Sequence, residues 1–418
     1  MTASERRQAW VRPLPAELLA RAKSAFATRR VPRGAMLTLL GGAIRPRSGD
    51  LVLARVVRLG QHRKLEAPDG RRANLHVDDH IIVAFGDRYA PDQYEALVPN
   101  NLGPTQLVAS GGIASSMQSR SRDVSAATDI EPVGLIGDQR GCALNLAQFA
   151  LPAIAMPQRR FTVAVVGTSM NSGKTTTIQY LAHTLARLGL RPGVTKVTGT
   201  GSGGDYWVML DAGAHRMLDF TDAGFASTYK QPLGALEMAL LTLLAHLGEA
   251  GCGVNLVEVA DGLFQRETSR LITSPAFVDS VDAMLFAAGE AMGAAAGVAH
   301  LQQLGLPVVA VSGRLTRSPL AVREAAEATN LPVLGIPQLS DAEHVQALLG
   351  LIDRARLDAA DAPPRDVTHA DHRAHVDDRV AADCRVDPDV DQLRARTQMH
   401  RQMNGAAHAV DEATTLLF

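Results

Sequence analysis

One stretch of the sequence carries residues whose types and order fit phosphate chemistry: Gly167, Thr168, Ser169, Met170, Asn171, Ser172, Gly173, Lys174, Thr175 and Thr176. An apolar run, Phe161–Val166, precedes it, and a helical pattern follows with Ile178, Leu181, Ala182, Leu185 and Leu188 on one face and Gly189 as the stop. Phosphate oxygens need several inward-pointing backbone N–H groups, which a tight loop wrapping a helix N-terminus supplies. Gly173 permits close backbone approach, Lys174 sets a positive charge on the β and γ phosphates, and Thr175 offers a hydroxyl to Mg²⁺. The loop is one residue longer than the usual spacing: Thr168 stands six positions before Lys174, where a glycine is expected, and Gly167 comes one earlier.

Two further segments bring charged groups toward such a loop. Lys196 ends the apolar run Gly193–Val197 and precedes a Gly/Ser/Thr-rich stretch that reaches Asp205. A lysine at the C-terminal edge of a parallel strand faces the ligand crevice. The run Gly253–Val259 places Glu258 near a strand tip, with Asp261 just beyond. Carboxylates there suit a divalent cation or the activation of an attacking oxygen. The expected set is Lys174, Lys196 and Asp261 for catalysis and Thr175, Asp205 and Glu258 for Mg²⁺, with Asp211 competing with Asp205. Arg266 and Glu267 follow closely and are candidates for the same cleft. The segment His215–Lys230 is dense in polar groups and is read either as a substrate-defining connection or as ordinary surface.

The elements that must position these groups follow from periodicity. Between 159 and 356, strand-like runs alternate with helical patterns: Phe161–Val166, Gly193–Val197, Val254–Val259, Ala283–Ala287, Pro307–Val311 and Val333–Ile336. That rhythm predicts an α/β fold, a mostly parallel sheet flanked by helices. Residues 1–158 read instead as a smaller, mainly β accessory domain, with a short helix at Pro15–Ala25 and β-like runs at Leu51–Leu59, Ala73–Val77, Ile81–Phe85, Gln106–Ala109 and Val133–Ile136. A barrel is one way to close those strands. Residues 357–418 are rich in Asp, Arg, His and Ala and read as a polar, disordered tail. His369, His372 and His375 in that tail are too spread for a three-ligand cage.

The loop Gly-Thr-Ser-Met-Asn-Ser-Gly-Lys-Thr resembles that of dethiobiotin synthetase and its relatives, Gly-Thr-Asp-x-x-x-Gly-Lys-Thr, with Ser169 in place of the Asp. The relatives belong to a group of P-loop NTPases that includes cobyrinate amidases, the molybdopterin-cofactor protein MobB and nickel-insertion GTPases. The resemblance covers about 160–340. Lys196 and Val197 match the family's Lys-Pro-Val segment without its proline, and that match implies contact with an anionic substrate. Glu258 matches the Glu of the family's Glu-Gly-Ala-Gly-Gly segment, and Asp261 replaces a glycine there. The implied activity is MgATP-dependent: γ-phosphoryl transfer to, or activation of, a small anionic metabolite, as a kinase or an acyl-phosphate-forming ligase. Alternatives are a nucleotide-hydrolysing switch or metallocofactor chaperone, and a polynucleotide kinase. ATP is the default base because Val311–Thr316 holds no Asn-Lys-x-Asp motif. No lysine occupies 168–171, unlike the partition-type dimeric ATPases. Dimerisation is common in the group, so a homodimer is an expectation.

Composition bounds the rest. The 418 residues carry a net charge of −1, which gives no global field for nucleic acid or anionic membrane. An arginine-rich set, Arg29, Arg30, Arg45, Arg47, Arg63, Lys64, Arg71 and Arg72, is read as solvated or interdomain surface more readily than as a nucleic-acid contact, since few aromatics interleave it. Three scattered cysteines, no apolar leader and no clean run of about 20 apolar residues point to a cytoplasmic protein without a membrane span.

Overall fold

Strand Leu51–Arg58 is buried on both of its faces along its first half, which dictates how the N-terminal region closes. Leu51 and Leu53 enter one apolar cluster, with Ile82, Ala84 and Tyr94. Val52, Ala54 and Val56 enter another, with Ile81, Val83 and Ile130. The ladder runs from Leu51–Arg58 to His80–Phe85, to Ile113–Arg120, to Thr105–Ala109, to Thr128–Gly137 and back, a closed ring of five strands. Closure leaves no free edge within the ring. A short hairpin, Arg88–Tyr89 paired with Tyr94–Leu97, extends from the Ile113–Arg120 strand. The computed structural model describes residues 8–350, so the tail with its three histidines lies outside the described residues.

The second region is a six-stranded parallel sheet in the order Arg216–Asp219, Pro192–Lys196, Val254–Glu258, Phe161–Gly167, Ala283–Ala287, Val308–Ser312. Alternation along Phe161–Gly167 sends Val163 and Val165 to one face and Ala164 and Val166 to the other, each under its own helical layer. Ile178, Leu181, Ala182 and Leu185 of the helix Lys174–Arg187 are buried, as their spacing requires. The fold of this region is α/β, with the strand that leads into the Gly167–Thr175 loop central in the sheet.

Two strands depart from expectation. Arg216–Asp219 is a sheet edge where a connection was expected; only Met217 and Leu218 are apolar, too few to show a period. Val333–Ile336 is no strand. Val333 makes a single bridge to Val311, and a helical turn, Ile336–Leu339, begins at once with Pro337 in its first positions.

The two regions pack as one compact unit. A Cβ on Gly111 would lie 2.0 Å from the carbonyl oxygen of Gly201, so only glycine allows this backbone contact. Arg29 crosses from the β region to Asp219 (3.0 Å) and Asp222 (2.6 Å), and Glu66 accepts the Gly203 N–H at 2.6 Å. Arg30 and Arg72 also pair internally, with Asp222 and Glu66. These arginines are joined to carboxylates at the seam between the regions. Arg29→Ala leaves buried Asp219 without its cation and Asp222 with Arg30 alone, and is expected to destabilise the protein by about 3–5 kcal/mol. Chemical denaturation would check this; a midpoint shift too small for ~1 kcal/mol would show the pair to be energetically idle. Among the described residues no helix is long and apolar enough to cross a membrane.

Candidate functional site

The phosphate loop leaves its strand at Gly167, where a Cβ would sit 2.6 Å from both the Ala287 carbonyl and the Ser172 hydroxyl. Asn171 (φ 58°) and Gly173 (φ 108°) turn the backbone, and the helix starts directly at Lys174. Gly173 is pressed against Gly313, and the Arg314 N–H bonds the Ser172 carbonyl at 2.8 Å. The Val311–Thr316 segment therefore buttresses the loop from beneath. The Ser172 hydroxyl is buried without a hydrogen-bond partner, a polar atom that a phosphate oxygen would satisfy.

Lys174 is 5% exposed. Its Nζ donates to the Ser169 carbonyl (2.7 Å) and the Asp261 carbonyl (2.9 Å). Burial pushes its ammonium down to about 8, with Glu258 and Asp261 offsetting part of the fall. Neither partner is an anion, so the charge is held for something else.

Lys196, Asp205 and Glu258 converge, although they come from two strands and a helix. Lys196 Nζ hydrogen-bonds Asp205 and lies 3.2 Å from Glu258. Burial lowers the Lys196 pKa, but Asp205 and Glu258 outweigh it and hold the pKa well above the usual lysine value. Thr175 Oγ1 donates to Glu258 Oε1 at 3.3 Å. Asp211 sits exposed at the far end of the helix that Asp205 opens. Thr175 touches Glu258, and Asp205 is joined to Glu258 through the shared Lys196 ammonium; hydroxyl and carboxylate oxygens are the donors that Mg²⁺ takes together with phosphate oxygens and water. Among the described residues no three His, Cys, Asp or Glu side chains form a cage that would hold an ion alone.

Asp261 reaches the loop by a turn that sequence does not reveal. Its φ is +64°, and a Cβ on the following Gly262 would lie 2.2 Å from the Thr168 carbonyl. The strand tip is thus clamped onto the start of the phosphate loop. Burial pushes the Asp261 carboxyl up to about 6; Lys174 and Lys196 pull against this, and Glu267 and Glu258 add to it. A carboxyl poised there can take a proton near neutral pH.

The His215–Lys230 segment divides. Asp219, Thr221 and Asp222 bond Arg29, and His215 contacts Arg191 and the Ala250 carbonyl. Thr228 Oγ1 accepts the Gly199 N–H at 2.7 Å. Ala226 packs into the β-region core, and Tyr229 meets the β region with its ring 5.5 Å from Tyr89. Buried Glu267 accepts the Lys230 N–H at 3.1 Å, whereas Arg266 is exposed and lines a cavity of about 300 Å³ with Lys230 and Arg270.

Residues that sequence reasoning missed come from the β region. Asp92 accepts a hydrogen bond from the Asn171 side chain, which sets the Arg88–Leu97 hairpin over the phosphate loop. The charge of Asp261 is felt by Tyr89 and Arg88. No local motif marks these residues; the barrel topology carries them there.

If Lys196 serves phosphoryl transfer, Lys196→Ala is expected to lower turnover by about a hundredfold while nucleotide affinity holds, since the backbone of the loop is untouched. Equilibrium nucleotide binding beside steady-state rates checks this; normal turnover removes Lys196 from the chemistry.

No protein-family model matches the sequence, and no curated protein sequence matches it. Solved structures align weakly with it. The 54 kDa protein of the signal recognition particle from Aeropyrum pernix, in complex with GDP, is 18% identical over 49% of this chain, with a TM-score of 0.29. The alignment spans about half, 51%, of that protein. The signal recognition particle receptor FtsY from Elizabethkingia anophelis is 16% identical over 47% of this chain and 68% of its own, with a TM-score of 0.30. A LAO/AO transport system kinase is 16% identical over 49% of this chain and 62% of its own, with a TM-score of 0.32.

Proposed function

We propose that this protein is a nucleotide-dependent enzyme that moves the γ-phosphoryl group of MgATP to a small anionic acceptor. The product is a phosphorylated metabolite or an acyl phosphate, the latter as in the dethiobiotin synthetases that its loop resembles. What supports this reading above all is Asp261: its backbone is tied to the phosphate loop through the Lys174 ammonium and Gly262, and its buried carboxyl, raised to about 6, lies within the fields of Lys174 and Lys196. A loop that only cradled phosphates would not need such a group.

The roles follow from position. Backbone N–H groups of 168–173 and the Ser172 hydroxyl receive the β and γ phosphates. Lys174 exchanges its carbonyl contacts for phosphate oxygens, which favour its charged form. Thr175, Glu258 and Asp205 would hold Mg²⁺, which supplies charge neutralisation between the phosphates. Lys196 steadies the two carboxylates and faces the charge that develops as the phosphoryl group leaves. Asp261 accepts the acceptor's proton, or orients an acceptor that arrives ionised. Nothing at Val311–Thr316 resembles a guanine-reading motif, so ATP is the proposed nucleotide.

A metabolite library screened by thermal shift, with MgATP and separately with MgGTP, would find the acceptor. Hits would then be scored by nucleoside diphosphate release. Acceptor-dependent release supports the proposal. Slow release that no metabolite stimulates and only a partner protein accelerates would replace it with a switch.

A further inference from the structure

Arg88 is 5% exposed and lies in the hairpin that covers the phosphate loop. Among the described residues it forms no ion pair. Nη2 donates to Gln93 Oε1 at 2.8 Å, and Nη1 lies 3.3 Å from His62 Nε2. That second contact is compromised. His62 Nε2 also stands 3.0 Å from the Val108 carbonyl, which accepts a bond only if this nitrogen carries the proton. A protonated nitrogen cannot also accept from Arg88. The guanidinium Nε is buried and has no partner at all. The Tyr94 ring, 5.6 Å away, offers only a weak cation–π contact.

A buried arginine with one secure neutral acceptor is an expensive arrangement: Asp92 and Asp261 act on it through their charge, yet neither forms an ion pair with it, whereas buried guanidinium groups are normally matched directly by a carboxylate or phosphate. Its place in the molecule supplies the reason. The hairpin's Asp92 touches Asn171 of the phosphate loop, the neighbouring Tyr89 packs on Tyr229, and Arg88 lies within the fields of Asp92 and Asp261.

We propose that Arg88 is the anchor for an anionic group, carboxylate or phosphate, on the acceptor, and that the acceptor bridges the β region and the phosphate loop with its reacting atom toward Asp261. This rests on the phosphoryl-transfer reading for the word acceptor; the anion site itself does not. The acceptor then carries at least two functional ends: an anion for Arg88 and a nucleophilic oxygen or nitrogen for Asp261. A planar fork with free N–H groups suits bidentate recognition of either anion.

The test uses the full chain with its phosphate loop filled by MgADP, or MgGDP if that is the nucleotide that stabilises it. Sodium malonate and inorganic phosphate serve as carboxylate and phosphate probes, at constant ionic strength against chloride. At least one probe is expected to raise the melting temperature in a saturable way. Arg88→Met should weaken that probe at least tenfold and Arg88→Lys by less, with nucleotide stabilisation unchanged in both. A second readout needs no variant. Burial and the charge of Arg88 hold His62 down to about 4. An anion on Arg88 cancels that field, so the His62 imidazole, followed by NMR, should titrate higher when the probe is bound. Absence of saturable binding for both probes, equal binding to Arg88→Met, or a His62 titration indifferent to the probe would each overturn the proposal. Anion binding at Arg88 without acceptor-dependent diphosphate release would leave this site standing and remove the phosphoryl-transfer reading.

Discussion

Lys174→Ala is expected to lower nucleotide turnover by about a thousandfold, the upper range for removing one fixed donor to a charged transition state. The loss has two parts. The point charge on the β and γ phosphates goes, and the Ser169 and Asp261 carbonyls lose the donor that now draws them together. The lysine also leaves a signature in the wild type. Its pKa of about 8 in the free protein comes from burial, and bound phosphates favour the charged form. Below about pH 8 the ammonium is already present and affinity is flat. Above that, binding requires a proton, and affinity falls by up to tenfold per pH unit until the higher pKa of the complex is passed. Calorimetry in two buffers of different ionisation enthalpy should therefore detect proton uptake near pH 8.5. Lys174→Ala should abolish that uptake. Turnover and affinity unchanged in the variant would remove the loop from the active site.

What the sequence made legible follows from range. The strand, loop and helix around Gly167–Thr176 are contiguous, so composition and period suffice to read them. Lys196 and Glu258 were legible as strand-end charges because parallel strands all present their C-terminal ends to one crevice. Their mutual pairing was not, because it depends on which strands are neighbours. Asp261 was visible as an acid, while its left-handed turn and its clamp on Thr168 were not. The contribution of Arg88, Tyr89 and Asp92 was invisible. They stand some eighty residues before the loop and reach it only because a five-stranded ring closes and docks. The arginine-rich character of the N-terminal region was visible, yet the partners of Arg29 lie at the end of an edge strand of four residues and in the turn after it, with no period to announce them.

Asp261→Asn isolates the proton-accepting role with little backbone disturbance. Asparagine tolerates the left-handed conformation that Asp261 adopts at φ +64°, so the turn that clamps Thr168 should persist. What is lost is the carboxylate. As a general base it is expected to contribute between about a hundredfold and ten-thousandfold to the rate. The pH profile sharpens the expectation. Burial, aided by Glu267 and Glu258, raises the carboxyl to about 6 against the pull of Lys174 and Lys196. The base form is needed, so wild-type kcat/KM should rise tenfold per pH unit up to about pH 6 and then level. Bound triphosphate adds negative charge and engages Lys174, which relieves its pull on Asp261. The corresponding limb in kcat should therefore lie above that in kcat/KM. Asp261→Asn should be slow and should lack the acid limb altogether. A variant that keeps more than a tenth of the activity, with the limb intact, would reduce Asp261 to a turn-forming residue. The proton would then have to leave by way of the acceptor's own ionisation, with Lys174 and Lys196 left to carry the electrostatic share of catalysis.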